Sequence, residues 1–383
     1  MFFSRNETAL MKAIHTKLGK ISAIGFGCLQ CTDQKIINTA VKDGVNLFVT
    51  AEAYGDKNQK QLGEALSKLQ EKTLVATKIG INFLGKTPEE QFIQSREQIG
   101  ESVKKCIALL GRKPLDLVGL HRLDDIHQRL NDNSKPVPAW EIALDELINL
   151  QKSGYINHIG LSEPTAGQIE RAVSIAKSKG STIAAVESAY SIVTRRAELN
   201  GVKKACDDHK ITFIAYSSVV RGMTDIRLKK ITDDDFKLSN EDFRKKVFSF
   251  LGINGDFILE NIDMFSYKNI KHNVKLMLIF QDCASKYNVT PAQLSLAWIQ
   301  HKGAIPIPGT KNLEHLNENN ASNLMVDILE NKGAFIELDR LFPVNSFLGD
   351  PNPIAIAGAL DSNSKKLNRI EENRIHSRLT CKL

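Results

Sequence analysis

The chain has 383 residues, 42% apolar and 25% charged, a balance that suits a globular protein with a large core and excludes a disordered or collagenous one. Its net charge of +7 comes from basic residues interleaved with acids rather than gathered in stripes between aromatics, which argues against nucleic acid as a partner. No run approaches the ~20 apolar residues that cross a bilayer, and the opening MFFSRNETAL is too short in apolar length for a secretory signal, so a cytoplasmic protein without a membrane partner is expected.

Taken in chain order, residues 1–17 read as an N-terminal arm. Short runs rich in Val, Ile, Leu and Ala then alternate with segments whose apolar residues recur at three- and four-residue spacing. The runs, predicted as strands, are 21–28, 47–51, 74–78, 115–121, 158–162, 183–188, 212–217 and 304–308; the predicted helices include 34–43, 89–110, 140–153, 166–179 and 196–209. At the end of the first run, Cys28-Leu-Gln-Cys31 has the spacing of a redox pair or of half a zinc site. No second pair accompanies it, so two loop thiols are expected and no metal. The other cysteines (Cys106, Cys206, Cys283 and Cys381) are scattered, unlike the dense framework of a small secreted domain.

The stretch from Val219 to Gly303 exceeds what one crossover helix uses. It holds a polar insertion over 227–246, then several aromatic residues, then a helix that Thr290 would cap with Pro291 in its first turn. Alternation of this kind demands a parallel sheet, and eight strands predict an α/β fold closed into a (β/α)8 TIM barrel, with a doubly wound open sheet as runner-up. The barrel is placed at 18–343, a single domain with a long insertion between its seventh and eighth strands. Residues 344–383 form a C-terminal extension whose PNPIAIAGALDSNS reads as irregular chain and whose basic end, 365–378, reads as a solvated tail.

Polar residues end most of the predicted strands: Tyr54 just after one, then Lys78, His121, Ser162, Glu187 and Ser217. In a barrel these converge at one mouth. The segment GVNLFVTAEAYG at 44–55, with Lys78 in VATKIG and His121 in LVGLHR, resembles the aldo-keto reductases, whose signature is G-x-N-x-F-D-T-A-E-x-Y-G and whose catalytic tetrad is Asp, Tyr, Lys and His. The resemblance runs over roughly 18–343 and implies an NADP(H)-dependent reductase of a small-molecule carbonyl, with Tyr54 as proton donor, Lys78 tuning it and His121 orienting the carbonyl oxygen. GLSE at 160–163, AAVESAYS at 184–191 and IAYSSVVRG at 214–222 are similar to a branch that includes pyridoxal reductases. They imply that Ser162, Glu163, Glu187, Tyr216, Ser217 and Arg221 contact the cofactor.

IPIPGTKNLEHLNENN at 305–320 is similar to the family's I-P-I-P-G-T-[KR]-x-x-x-[RH]-[LI]-x-E-N. There Gly309 and Thr310 would offer backbone N–H groups to phosphate oxygens where strand gives way to helix. Lys311 and His315 would add positive charge for a 2′-phosphate, and Glu318 and Asn319 would hold the adenine. One departure stands out: Val49 occupies the place of the tetrad aspartate, five residues before Tyr54. A buried ammonium without a carboxylate loses its proton or finds another partner, and Glu52 is the carboxylate on the same loop. The expectation is therefore a reductase weakened at Lys78, whose rate Val49→Asp would raise. The alternative is a catalytically impaired relative that binds NADP(H) as a sensor or interaction subunit.

Overall fold

The computed structural model describes residues 11–29, 31–82, 92, 94–123, 137–220, 224, 226–251 and 262–349. It begins with a hairpin, β1 (Ala13–Thr16) and β2 (Gly19–Ser22), paired antiparallel with Thr16 opposite Gly19. Gly19 takes φ +90° at the turn, a conformation that costs glycine little. Then follow β3 (Phe26–Gly27), α1 (Gln34–Lys42), β4 (Leu47–Val49), α2 (Asp56–Ser67), β5 (Leu74–Ile79), α3 (Arg96–Leu110), β6 (Leu115–Leu120), α4 (Ala139–Lys152) and β7 (Ile156–Ser162). The chain continues through α5 (Ala166–Ser178), β8 (Ile183–Ala189), α6 (Arg196–Leu199), α7 (Val202–Asp208), β9 (Thr212–Tyr216), α8 (Asn240–Leu251) and α9 (Ile270–Lys286). It ends with α10 (Pro291–His301), β10 (Ile305–Pro306), α11 (Leu313–Asn331) and α12 (Ala334–Leu341).

Strands β3 to β10 pair in parallel, each with its neighbour in the chain. The two ends of this sheet then meet. Gly25 N–H donates to the Pro306 carbonyl at 2.9 Å and Gly27 N–H to that of Pro308 at 3.3 Å, so the sheet closes into a (β/α)8 barrel and no reversal of strand order survives for the doubly wound alternative.

The period of two along each strand separates two cores. Phe26, Phe48, Val75, Val118, Ile159, Val186 and Phe213 face the helices, while Leu47, Val49, Ala76, Leu117, Ala185, Ile214, Ile305 and Ile307 fill the barrel. Leu18 and Ile21 of the hairpin join the inner cluster, closing the barrel's N-terminal end with apolar side chains whose burial contributes roughly 1.5–3 kcal/mol each.

Two expected elements are divided. In the run at 21–28, Ile21 and Ser22 belong to the hairpin and only Phe26–Gly27 to the barrel. The run at 196–209 is broken by Gly201 at φ +80°, a left-handed position that ends one helix before the next begins. The Thr290 cap is as expected: its hydroxyl accepts from Gln293 N–H, and Pro291 occupies the first turn. Of the expected extension, residues 344–349 are described, and Leu348 is held to α9, where Asn273 accepts from Leu348 N–H at 2.8 Å and donates to the Leu348 carbonyl at 2.8 Å. Arg221, Cys381 and the segment 365–378 lie outside the described residues. Among the described residues no helix is long and apolar enough to cross a membrane, and no group of His, Cys, Asp and Glu could hold a metal ion.

Candidate active site

The barrel's C-terminal mouth is built in two halves. On one side, Tyr54 ends a 3-10 turn, Glu52–Tyr54, that follows β4. Side chains fix this turn: Thr50 Oγ1 donates to Asn58 Oδ1 at 2.7 Å, and Asn58 Nδ2 donates to the Cys28 carbonyl at 2.7 Å. Lys78 sits near the end of β5 and His121 just past β6, held by its N–H to the Ile79 carbonyl at 2.8 Å. These three residues come together. The Tyr54 and His121 rings meet edge to face with centroids 6.2 Å apart, and Lys78 Nζ lies 5.5 Å from the Tyr54 ring centroid.

Lys78 Nζ donates to both Oε1 and Oε2 of Glu187 at 2.9 Å, and the two side chains are only 4% and 11% exposed. The lysine therefore has its carboxylate, which comes from β8 across the barrel. Glu52 does not supply it; its carboxyl group is buried beside Ser102 and Lys105 of α3. Sequence reasoning placed Glu187 at the cofactor and missed this pair. The signal was present in AAVES, where a charged residue interrupts an apolar strand and a buried carboxylate demands a cation.

Electrostatics at the mouth follow from burial and this pair. Burial pulls the Lys78 amine down, but Glu187 and Tyr54 more than offset it, and the net direction is upward. Burial pushes the Tyr54 phenol up; Lys78 draws it back, Glu187 adds to the rise, and the net is again upward. Burial, with the charges of Lys78 and Arg122, holds the His121 imidazole well below its usual range. At neutral pH the mouth thus presents a protonated phenol, an ammonium–carboxylate pair and a neutral imidazole.

The other half of the mouth carries the residues expected at a cofactor. Ser162 is buried and in register with Glu187. Glu163, at φ +51°, accepts from Ala189 N–H at 2.7 Å and lies 3.4 Å from Arg196 Nη2, so its carboxylate ties the loop after β7 to the end of β8. Tyr216 ends β9 in register with Ala189, and Ser217 follows at φ +56°.

Next to β9, β10 leads through Gly309 and the buried Thr310 to α11, capped by Asn312. Thr310 Oγ1 accepts from Asn312 N–H at 3.0 Å. Lys311 and His315 are exposed and make no ion pair among the described residues. Glu318 is half-buried and Asn319 buried one turn further along α11. An exposed lysine and an imidazole one helical turn apart at a helix start, beside a glycine that brings backbone close, fit a phosphate-bearing group. Only Arg221 of the expected cofactor residues falls outside the described residues.

The model of the Aldo/keto reductase family matches residues 19–329. Among curated proteins, the chain is similar to the Schizosaccharomyces pombe protein named Aldo-keto reductase yakc, NADP(+), with 27% identity over 314 residues that cover 78% of this chain and 83% of that relative.

Proposed function

Since the chain belongs to the Aldo/keto reductase family, we propose that it reduces a small aldehyde or ketone to the alcohol with NADPH. The supporting observation is the meeting of Tyr54, Lys78 and His121 at one barrel mouth, beside a rim of polar residues and the exposed Lys311 and His315. The name of the yeast relative, which specifies NADP(+), favours the phosphorylated cofactor.

The dinucleotide, when bound, supplies hydride to the carbonyl carbon. The protein's own groups handle the oxygen. A neutral His121 donates a hydrogen bond that orients the carbonyl, and Tyr54 gives its phenolic proton to the oxygen as negative charge develops there. Lys78, kept charged, stabilises the phenolate left behind and makes a phenol raised by burial a better acid in the transition state than in the resting site. Gly309 and Thr310, with Lys311 and His315, would hold the phosphates, and Ser162, Tyr216, Ser217 and Arg221 the nicotinamide end.

The test is loss of nicotinamide absorbance with a panel of aldehydes and ketones, pyridoxal included. Turnover is expected with NADPH and a loss of roughly 10²–10⁴ in kcat in Tyr54→Phe, with cofactor binding followed by fluorescence kept. Tight NADPH binding without turnover of any carbonyl would overturn the assignment in favour of a cofactor-binding sensor or interaction subunit.

A further inference from the structure

Building on the proposed role of Tyr54 as proton donor, we infer that Glu187 is a positioning residue that replaces the missing tetrad aspartate, neutralising and aiming Lys78 from the opposite wall of the barrel. Val49 cannot do this. It pairs with Ala76 in the strand register, two residues before Lys78 on β5, and packs into the apolar inner cluster. Glu52 faces α3 instead. Strands β5 and β8 are separated by β6 and β7, so the pair spans the barrel interior.

Two glycines lie beside the path of the pair. Gly119 of β6 and Gly160 of β7 bring no side chain into the space, and a Cβ on Gly119 would lie 3.6 Å from Lys78 Cγ, so the lysine stem passes directly over it. Together with Ala185, Leu117 and Ile214 they line a small cavity of about 20 Å³ beside the pair. Both Glu187 oxygens lie at 2.9 Å from Nζ, which gives two of the three ammonium donors a charged acceptor where water has little access. The groups facing the pair are Tyr54 and His121 across the mouth, with Cys28, a buried neutral thiol, near Tyr54 and Lys78.

A lysine without a carboxylate at this depth would shed its proton and stop stabilising the phenolate. Glu187 prevents that. It comes from the cofactor half of the rim, between Ser162 and Tyr216, so one side chain couples both halves of the mouth.

The experiment compares the wild-type protein with Glu187→Gln, Val49→Asp and the double variant, which restores a carboxylate beside β5 while removing that on β8. Readouts are kcat and its pH profile, NADPH affinity, and titration of Lys78 by the 13Cε chemical shift. Glu187→Gln is expected to lower kcat roughly tenfold or more with little change in NADPH affinity. The basic limb of its pH profile should move to lower pH, because the amine deprotonates earlier. The double variant should recover both kcat and the Lys78 titration; this also covers the case in which Glu187→Gln alone fails to fold. An unchanged kcat and pH profile in Glu187→Gln, or a double variant that regains the titration but not the rate, overturns the inference. If the wild-type protein reduces no carbonyl, the reductase reading fails separately. The Lys78 titration then still decides: a pKa that falls in Glu187→Gln and returns in the double variant supports the counter-ion role, and an unmoved pKa overturns it.

Discussion

A Cβ on Gly309 would lie 2.4 Å from the carbonyl oxygen of Gly27, and one on Gly27 would lie 2.8 Å from that of Ile307. The barrel's closing seam and its candidate phosphate loop are thus the same few atoms. The obstacles are backbone oxygens, which cannot swing aside as a side chain would. Gly309→Ala is expected to prise β3 from β10, at a cost of about 1–3 kcal/mol of overpacking, and to weaken NADPH binding together with stability. Urea unfolding and NADPH fluorescence titration on the same variant check this; a variant of unchanged stability and affinity contradicts it.

Lys311 and His315 stand apart from that seam, exposed and without an ion pair among the described residues. They spend nothing on the fold, so removing charge there should leave stability unmoved. Lys311→Ala is expected to weaken NADPH binding by roughly five- to tenfold while leaving NADH binding nearly unchanged. Parallel titrations with the two cofactors read the difference, and added salt should narrow it for a surface charge of this kind. Equal losses for both cofactors would place the lysine on the pyrophosphate instead of the 2′-phosphate.

Val49 now carries a different expectation from the one its sequence position suggests. Read from sequence alone, Val49→Asp supplies a missing partner and raises the rate. With Glu187 already on Lys78, the new carboxylate enters an apolar layer among Leu47, Ala76 and Ile307 and finds the cation taken. The single variant is expected to lose about 3 kcal/mol or more and to show no gain in kcat. Denaturant unfolding and a steady-state rate are sufficient to see it, and a faster enzyme of native stability would contradict it.

The alternation of apolar runs with amphipathic segments made the barrel legible, because strand and helix periods are local properties of the chain. So were Tyr54, Lys78 and His121, each at the end of its strand with distinctive neighbours. What the sequence did not reveal depends on contacts between distant positions. Lys78 and Glu187 are 109 residues apart and meet only once the strands between them have placed both side chains in the barrel interior. The hairpin at Ala13–Ser22 was hidden for a related reason: its apolar residues, Leu18 and Ile21, gain their purpose from an opening that exists only once the barrel has closed. Two signals were local: the charge that interrupts the apolar strand at Glu187, and Gly201, whose left-handed backbone divides an otherwise continuous helical pattern.

His121 gives a pH dependence whose sign can be worked out. Its imidazole stays neutral in the fold well below the usual histidine range, because burial and the charges of Lys78 and Arg122 oppose its protonation. In the unfolded chain it takes up a proton near pH 6.5. Below that pH the unfolded state binds more protons than the folded one, so stability falls as pH drops, with this residue adding a slope approaching about 1.4 kcal/mol per pH unit until the folded group titrates. Above about pH 8 neither state is protonated there and the dependence vanishes. His158, lowered by burial with partial relief from Asp116, adds a smaller term of the same sign. His121→Asn should therefore flatten the stability curve between pH 5 and 6.5 without removing its slope, as measured by urea unfolding at a series of pH values. A curve identical to that of the wild-type protein would show that the imidazole accepts a proton in the folded state, which is incompatible with a neutral hydrogen-bond donor at the mouth.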